Sequence, residues 1–117
     1  MKKKFKYWYN GEWAYIDLEQ PTVPQFELWE KRGRPKLLQS TGAMIGDTIG
    51  GNEIYDGDVI YDEIEGIYDY VVYYQDLGIW TCKNNSLDID EGIVSDWSSI
   101  YDNINRIGLE EFEKLND

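Results

Sequence analysis

The sequence predicts a mainly β domain, a small barrel or sandwich of short antiparallel strands followed by a C-terminal helical segment. Three observations carry this reading. Runs rich in Tyr, Trp and β-branched residues recur between Gly, Asn and Asp turn signals. An Asn10-Gly11 pair sits between two such runs, the favoured two-residue hairpin connection. Past residue 92 the apolar period changes to three and four. At 117 residues the chain is one domain long. Its hydrophobic share of 42% and aromatic share of 15% set it apart from disordered sequences, despite a net charge of −12.

The first element is a hairpin. Phe5-Lys6-Tyr7-Trp8-Tyr9 is rich in β-formers, and Glu12-Trp13-Ala14-Tyr15-Ile16-Asp17 returns across Asn10-Gly11. Both central residues of a type I′ turn need positive φ, which Asn and Gly tolerate best. Pro21 and Pro24 predict an extended connection, and the alternation of Gln25-Phe26-Glu27-Leu28-Trp29-Glu30 predicts a half-buried strand. Residues 31–36 read as a basic turn and Leu37–Thr41 as a short strand. Glycines 42, 46, 50 and 51 then mark a turning connection. No Lys-Ser/Thr pair and no helix signal follow them, so a phosphate loop is rejected. Strands are expected around Glu53–Tyr61 with a turn at Asp56-Gly57, over Ile67–Tyr74, over Ile79–Lys83 and over Ser86–Ile89. In the tail, Ile93, Trp97, Ile100, Tyr101, Ile104 and Ile107 form a helical stripe, with Ser95 or Asp96 placed to cap it. Asn103–Ile107 also alternates, so a closing strand competes there. Gly108 breaks the pattern before Leu109, Phe112 and Leu115.

Missing residue types narrow the chemistry. The sequence holds no histidine and one cysteine. This removes Ser-His-Asp and Cys-His catalysis and zinc sites built on several thiolates. Catalysis by paired carboxylates survives. Asp56, Asp58 and Asp62 lack the offsets of a calcium loop and read as a polar turn. No cofactor is expected. The lone Cys82, beside Trp80 and Thr81, reads as a buried spectator in a reducing, cytoplasmic setting. No run approaches the ~20 apolar residues of a membrane span, and no apolar segment follows the basic start as in a signal peptide.

Charge is unevenly distributed. Residues 1–36 carry eight basic and five acidic side chains, net +3, whereas residues 37–117 carry three and eighteen, net −15. Duplex DNA is disfavoured as a partner because the acidic stretch repels phosphate. Two candidate surfaces follow. Acidic residues Asp56, Asp62, Glu63, Glu65 and Asp69 could dock a basic partner. Lys31, Arg32, Arg34 and Lys36 beside Trp29 could hold the phosphate and stack the base of a small anionic nucleotide.

Residues 35–42 (PKLLQSTG), the glycine loop and residues 52–60 (NEIYDGDVI) together resemble the YopX family of phage and prophage proteins. That family carries a leucine-glutamine-x-threonine-glycine segment, a loop, and an acidic strand entry reading EIYEGD. Phe5-Lys6-Tyr7-Trp8 with Tyr15-Ile16-Asp17 is similar to its N-terminal hairpin, and Arg106-Ile107-Gly108 to its closing strand. The glycine loop is longer and the tail more acidic than the family pattern. The resemblance implies a single YopX-like domain with an SH3-like barrel, phage origin and homo-oligomerisation, and it brings no known site residues. Residues 1–36 would form the hairpin and basic loop, 37–94 the β core and 95–117 a helical tail. Gly57 would supply turn geometry, Asp58 would accept from nearby backbone amides, and Ile54, Val59 and Ile60 would fill the core. The expected function is that of a non-enzymatic phage accessory protein, inhibiting a host defence protein through its acidic surface, an expectation by analogy. An oligomeric sponge for a host signalling nucleotide is the first alternative, a carboxylate hydrolase the second.

Overall fold

The computed structural model describes residues 4–17, 23–45, 52–62, 65–84, 92–94 and 97–117. The strand expected over Ser86–Ile89, the caps expected at Ser95 or Asp96, and Gly46, Gly50 and Gly51 lie outside them. The hairpin forms as expected. β1 (Lys4–Tyr9) pairs antiparallel with β2 (Glu12–Asp17), with Lys6 opposite Tyr15 and Trp8 opposite Trp13. Asn10 and Gly11 take φ of 52° and 83°, the positive values the turn requires. One hairpin face buries Tyr7 and Ile16, and the other presents Lys6, Trp8, Trp13 and Tyr15.

The strand expected over Gln25–Glu30 is instead part of α1 (Val23–Lys31). Pro24 falls in the first turn, where its missing N–H leaves no hydrogen bond unmade. Phe26 and Trp29, three residues apart, meet edge to face at 6.2 Å. The alternating pattern also contained this helical pair. Beyond the helix, Trp29 Nε1 donates to the Pro35 carbonyl at 2.8 Å, folding residues 32–35 back onto it.

β3 (Leu38–Ile45) is the spine of the first sheet, whose order is β2-β1-β3-β4 with β4 spanning Asn52–Tyr55. An irregularity between Ser40 and Met44 bends it. The hydroxyls of Ser40 and Thr41 accept from the amides of Gly42 and Ala43, which satisfies donors there. β5 (Asp58–Asp62), β6 (Ile67–Tyr74) and β7 (Ile79–Cys82) belong to the second sheet. β8 (Gly92–Val94) pairs parallel with β3, and β9 (Trp97–Asn103) completes the order β7-β6-β5-β9. The described strands thus form two sheets, antiparallel apart from the β3–β8 pairing, and no closed barrel.

Asp56-Gly57 is a corner between sheets. The Asp56 amide donates to Gln39 in the first sheet, the Gly57 amide to Val71 in the second, and the Gly57 carbonyl accepts from Ile104. Gly57 has φ of 81°, and a Cβ there would stand 2.6 Å from Asn105 Nδ2 and 2.9 Å from Asn103 Oδ1. Both conformation and space exclude other residues. Ile54, Val59 and Ile60 are buried, as expected of this block, and Ile54 and Ile60 join Ala43, Ile45, Val71 and Cys82 in the core between the sheets. Burying each Ile contributes about 1.5–3 kcal/mol.

The helical stripe expected from Ile93 onward is corrected by two strands. β9 carries register shifts against β5 between Val59 and Ile60 and between Tyr61 and Asp62, so that Tyr101 and Ser98 are extra residues. Those bulges stretch an alternation of two into a spacing of three, which imitates a helix. α2 (Ile104–Leu115) begins only at Ile104, capped by Asn103, whose side chain accepts from the Asn105 amide at 2.9 Å. The competing strand over Asn103–Ile107 and the closing strand expected at Arg106–Gly108 are therefore replaced by this helix. Gly108 interrupts it with φ of 84° and ψ of 160°, and Phe112 beyond is buried against Tyr70. No described helix is long and apolar enough to cross a membrane.

Candidate functional site

The exposed-side face of the hairpin does not lie open to solvent alone. β9 and the start of α2 rise opposite it, and together with β4 of the hairpin's own sheet they bound a cleft of about 630 Å³. Lys6 and Trp8 come from β1, Trp13 and Tyr15 from β2, Glu53 and Tyr55 from β4. Ile100, Tyr101 and Asp102 from β9 and Arg106 from α2 form the facing wall. Alternation along β1, β2 and β4 is what puts residues two apart on one wall.

Five aromatic rings of the described residues line this space. Trp8 and Trp13 meet at 5.1 Å and Tyr15 and Tyr55 at 5.9 Å. The Lys6 ammonium lies 4.3 Å from the Trp13 ring centre and 4.9 Å from that of Tyr55, and the Arg106 guanidinium 5.1 Å from Trp8. These are cation–π distances. Each cation is also paired. Lys6 Nζ donates to the fully buried Asp58 at 2.7 Å. Arg106 grips Asp102 with two donors, Nε at 2.6 Å from Oδ1 and Nη2 on Oδ2.

Titration follows from these contacts. Burial raises the Asp58 carboxyl above its ordinary value, against the pull of Lys6, the Tyr55 amide and Asn103. Asp58 accepts from that amide at 2.7 Å, as expected of it. For Asp102, burial acts upward too, but the hydrogen bonds from Arg106 and the Asn103 amide and the Arg106 charge outweigh it and hold the carboxyl low. Burial raises the Tyr55 hydroxyl, reinforced by the charge and hydrogen bond of Glu53. Glu53 Oε1 stands 3.7 Å from Lys4 Nζ, while Oε2 is buried and has no hydrogen-bond partner among the described residues.

The basic residues singled out from sequence are not gathered into one site. Trp29 is committed to Pro35. Arg32 donates to the Tyr7 hydroxyl at 3.1 Å and lies 4.6 Å from the Tyr9 ring centre. Arg34 pairs with Glu30 at the exposed surface, and Lys31 is exposed at the helix end. Lys36 alone approaches the cleft. It lines an adjoining groove of about 180 Å³ that shares Trp8, Trp13 and Arg106, and donates to Asn105 at 2.9 Å.

The acidic candidates are scattered as well. Asp62 and Asp69 are 4% and 1% exposed, so neither can belong to a docking face. Asp62 accepts from the Glu65 amide, and Asp69 from the amides of Tyr70 and Asn84. Asp56 is half-buried at the inter-sheet corner, Glu65 is exposed, and Glu63 lies outside the described residues. Cys82 is buried, and burial, with Asp69 and Asp62, pushes its thiol up to about 12, too high for a thiolate nucleophile.

Half of the cleft was within reach of sequence reasoning. A two-residue turn at Asn10-Gly11 fixes the pairs Trp8–Trp13 and Lys6–Tyr15 on one face. The other half depends on β4 and β9 meeting across the sheets, which no local pattern records.

Fold and cleft together define a small two-sheet β domain with an aromatic, charge-lined recess between its sheets. A family model described as YopX protein matches residues 2–108, nearly the whole chain. The chain belongs to the YopX family, as the resemblance over residues 37–60 implied, and is a phage-type protein. No curated protein and no solved structure matches it.

Proposed function

We propose that this phage-type protein is a non-enzymatic binder that takes a nucleotide into the aromatic cleft and sequesters it within the bacterial host. The observation that carries the reading is the combination of five aromatic rings with the Arg106 guanidinium and, in the adjoining groove, the Lys36 ammonium. Aromatic side chains stack a base for about 1–3 kcal/mol, and guanidinium and ammonium groups hold phosphate. The net charge of −12 does not oppose this locally. The hairpin wall belongs to the positively charged first third of the chain, and Lys4, Lys6, Lys36 and Arg106 all stand at or beside the recess.

Inhibitory docking of a host protein on the acidic surface draws support from net charge alone, and Asp62 and Asp69, which were to form that surface, are interior. Nucleotide binding is therefore preferred.

Calorimetry of the full chain with a panel of linear and cyclic nucleotides tests the proposal. Saturable binding is expected, weakened about tenfold or more by Trp13→Ala or Arg106→Ala and unaffected by Arg34→Gln. Silence across the panel rejects it, and turnover of the bound nucleotide would move the reading to the carboxylate hydrolase. Self-association into a homo-oligomer is part of the proposal. Sedimentation at micromolar concentration should show it, and a clean monomer contradicts that part.

A further inference from the structure

Glu53 is the unexplained group in the cleft. One carboxylate oxygen stands 3.7 Å from the Lys4 ammonium. Oε2 is shut off from water with no donor among the described residues. An unsatisfied buried acceptor is costly, and in native structures it marks either strain or an awaited partner. Glu53 itself lines the cleft and its side chain is 17% exposed. Reorienting the side chain to turn both oxygens to the lumen gives up the 3.7 Å approach of Oε1 to Lys4, a weak pairing that a two-donor ligand would replace.

A carboxylate in that position reads hydrogen-bond donors. Adenine and cytosine each present one amine beside a ring nitrogen that accepts, which would oppose an oxygen lone pair. Uracil and thymine present one ring N–H between two carbonyls. Guanine alone among the common bases offers a ring N–H and an exocyclic amine side by side, two donors matched to two carboxylate oxygens. Resting on the nucleotide reading above, we propose that Glu53 makes the cleft selective for guanine nucleotides, its carboxylate accepting from that donor pair while Trp and Tyr rings stack the base. Arg106, presented from α2 on the facing wall, and Lys36 in the adjoining groove take the phosphate.

The test is calorimetry of the full chain with GMP, IMP and AMP, alongside Glu53→Gln. IMP keeps the ring N–H and lacks the amine. The expected order is GMP, then IMP, then AMP, with GMP at least about tenfold tighter than AMP. Glu53→Gln, whose amide cannot accept at both atoms, should weaken GMP about tenfold or more and leave AMP within a few-fold. If GMP and AMP bind wild type equally, the selectivity proposal falls while the nucleotide reading stands. If neither binds, the nucleotide reading falls and takes this one with it. An unchanged GMP affinity in a folded Glu53→Gln protein also overturns it. Should that variant fail to fold, the ranking of the three nucleotides on wild type decides alone.

Discussion

Lys6 and Asp58 form a buried pair on which the cleft floor rests. Lys6 is 5% exposed and Asp58 fully buried, and Asn103 adds a second donor to the same carboxylate oxygen at 2.9 Å. Removing one partner from such a pair leaves an uncompensated charge, at a cost of about 3–5 kcal/mol near neutral pH. The sign of the pH dependence follows from burial, which holds the Asp58 carboxyl above its unfolded value. A group shifted in that direction binds protons more readily when folded, so its contribution is fully present in acid. That contribution declines as pH rises through the window between its unfolded and folded values. Lys6→Met removes the strongest pull in the opposite direction and raises the carboxyl further. Its stability loss, measured by urea denaturation, should be largest near neutral pH and shrink in acid as Asp58 takes up a proton. A loss of equal size under both conditions contradicts this account of the pair.

At the scale of elements, the junction of β9 with α2 sets Asp102 and Arg106 on the facing wall of the cleft. Asn103 is fully buried. It caps α2, and its Nδ2 donates to the Asp56 carbonyl and to Asp58. Asn103→Ala therefore loses a cap worth about 1 kcal/mol together with donors to the half-buried Asp56 carbonyl and the buried Asp58 carboxylate, for a total of roughly 2–4 kcal/mol. Denaturation should read that loss, together with reduced helical dichroism. A cost below about 1 kcal/mol would mean that the junction is held by other contacts. The elements also show what the sequence made legible. The Asn10-Gly11 hairpin and the Ile54–Ile60 block were readable because turn chemistry and alternation act over a few residues. α1 reads as a strand in the sequence because its helical pair, Phe26 and Trp29, lies inside an alternating run. β9 reads as a helix in the sequence because its two bulges insert Ser98 and Tyr101 and stretch the period. Such insertions are set by the partner strand β5, which lies some forty positions earlier.

Across the whole molecule, charge and aromatic content divide the work between halves of the chain. The N-terminal third supplies a cationic, ring-bearing wall, and the acidic remainder supplies the facing wall, where Arg106 stands on Trp8. Composition alone favoured an acidic docking surface, but two of the acids chosen for it are consumed inside the fold, holding backbone amides. The cleft itself was hidden from a linear reading because its residues are brought together by sheet pairing and by the corner at Gly57. Tryptophan placement offers the most direct check. Trp8 and Trp13 line the cleft, whereas Trp29 is tied to Pro35 outside it. In a ¹⁵N-edited NMR titration with GMP, the indole signals of Trp8 and Trp13 should shift and saturate together while that of Trp29 stays in place. Movement confined to Trp29, or no indole movement at millimolar GMP, would contradict nucleotide binding in this cleft.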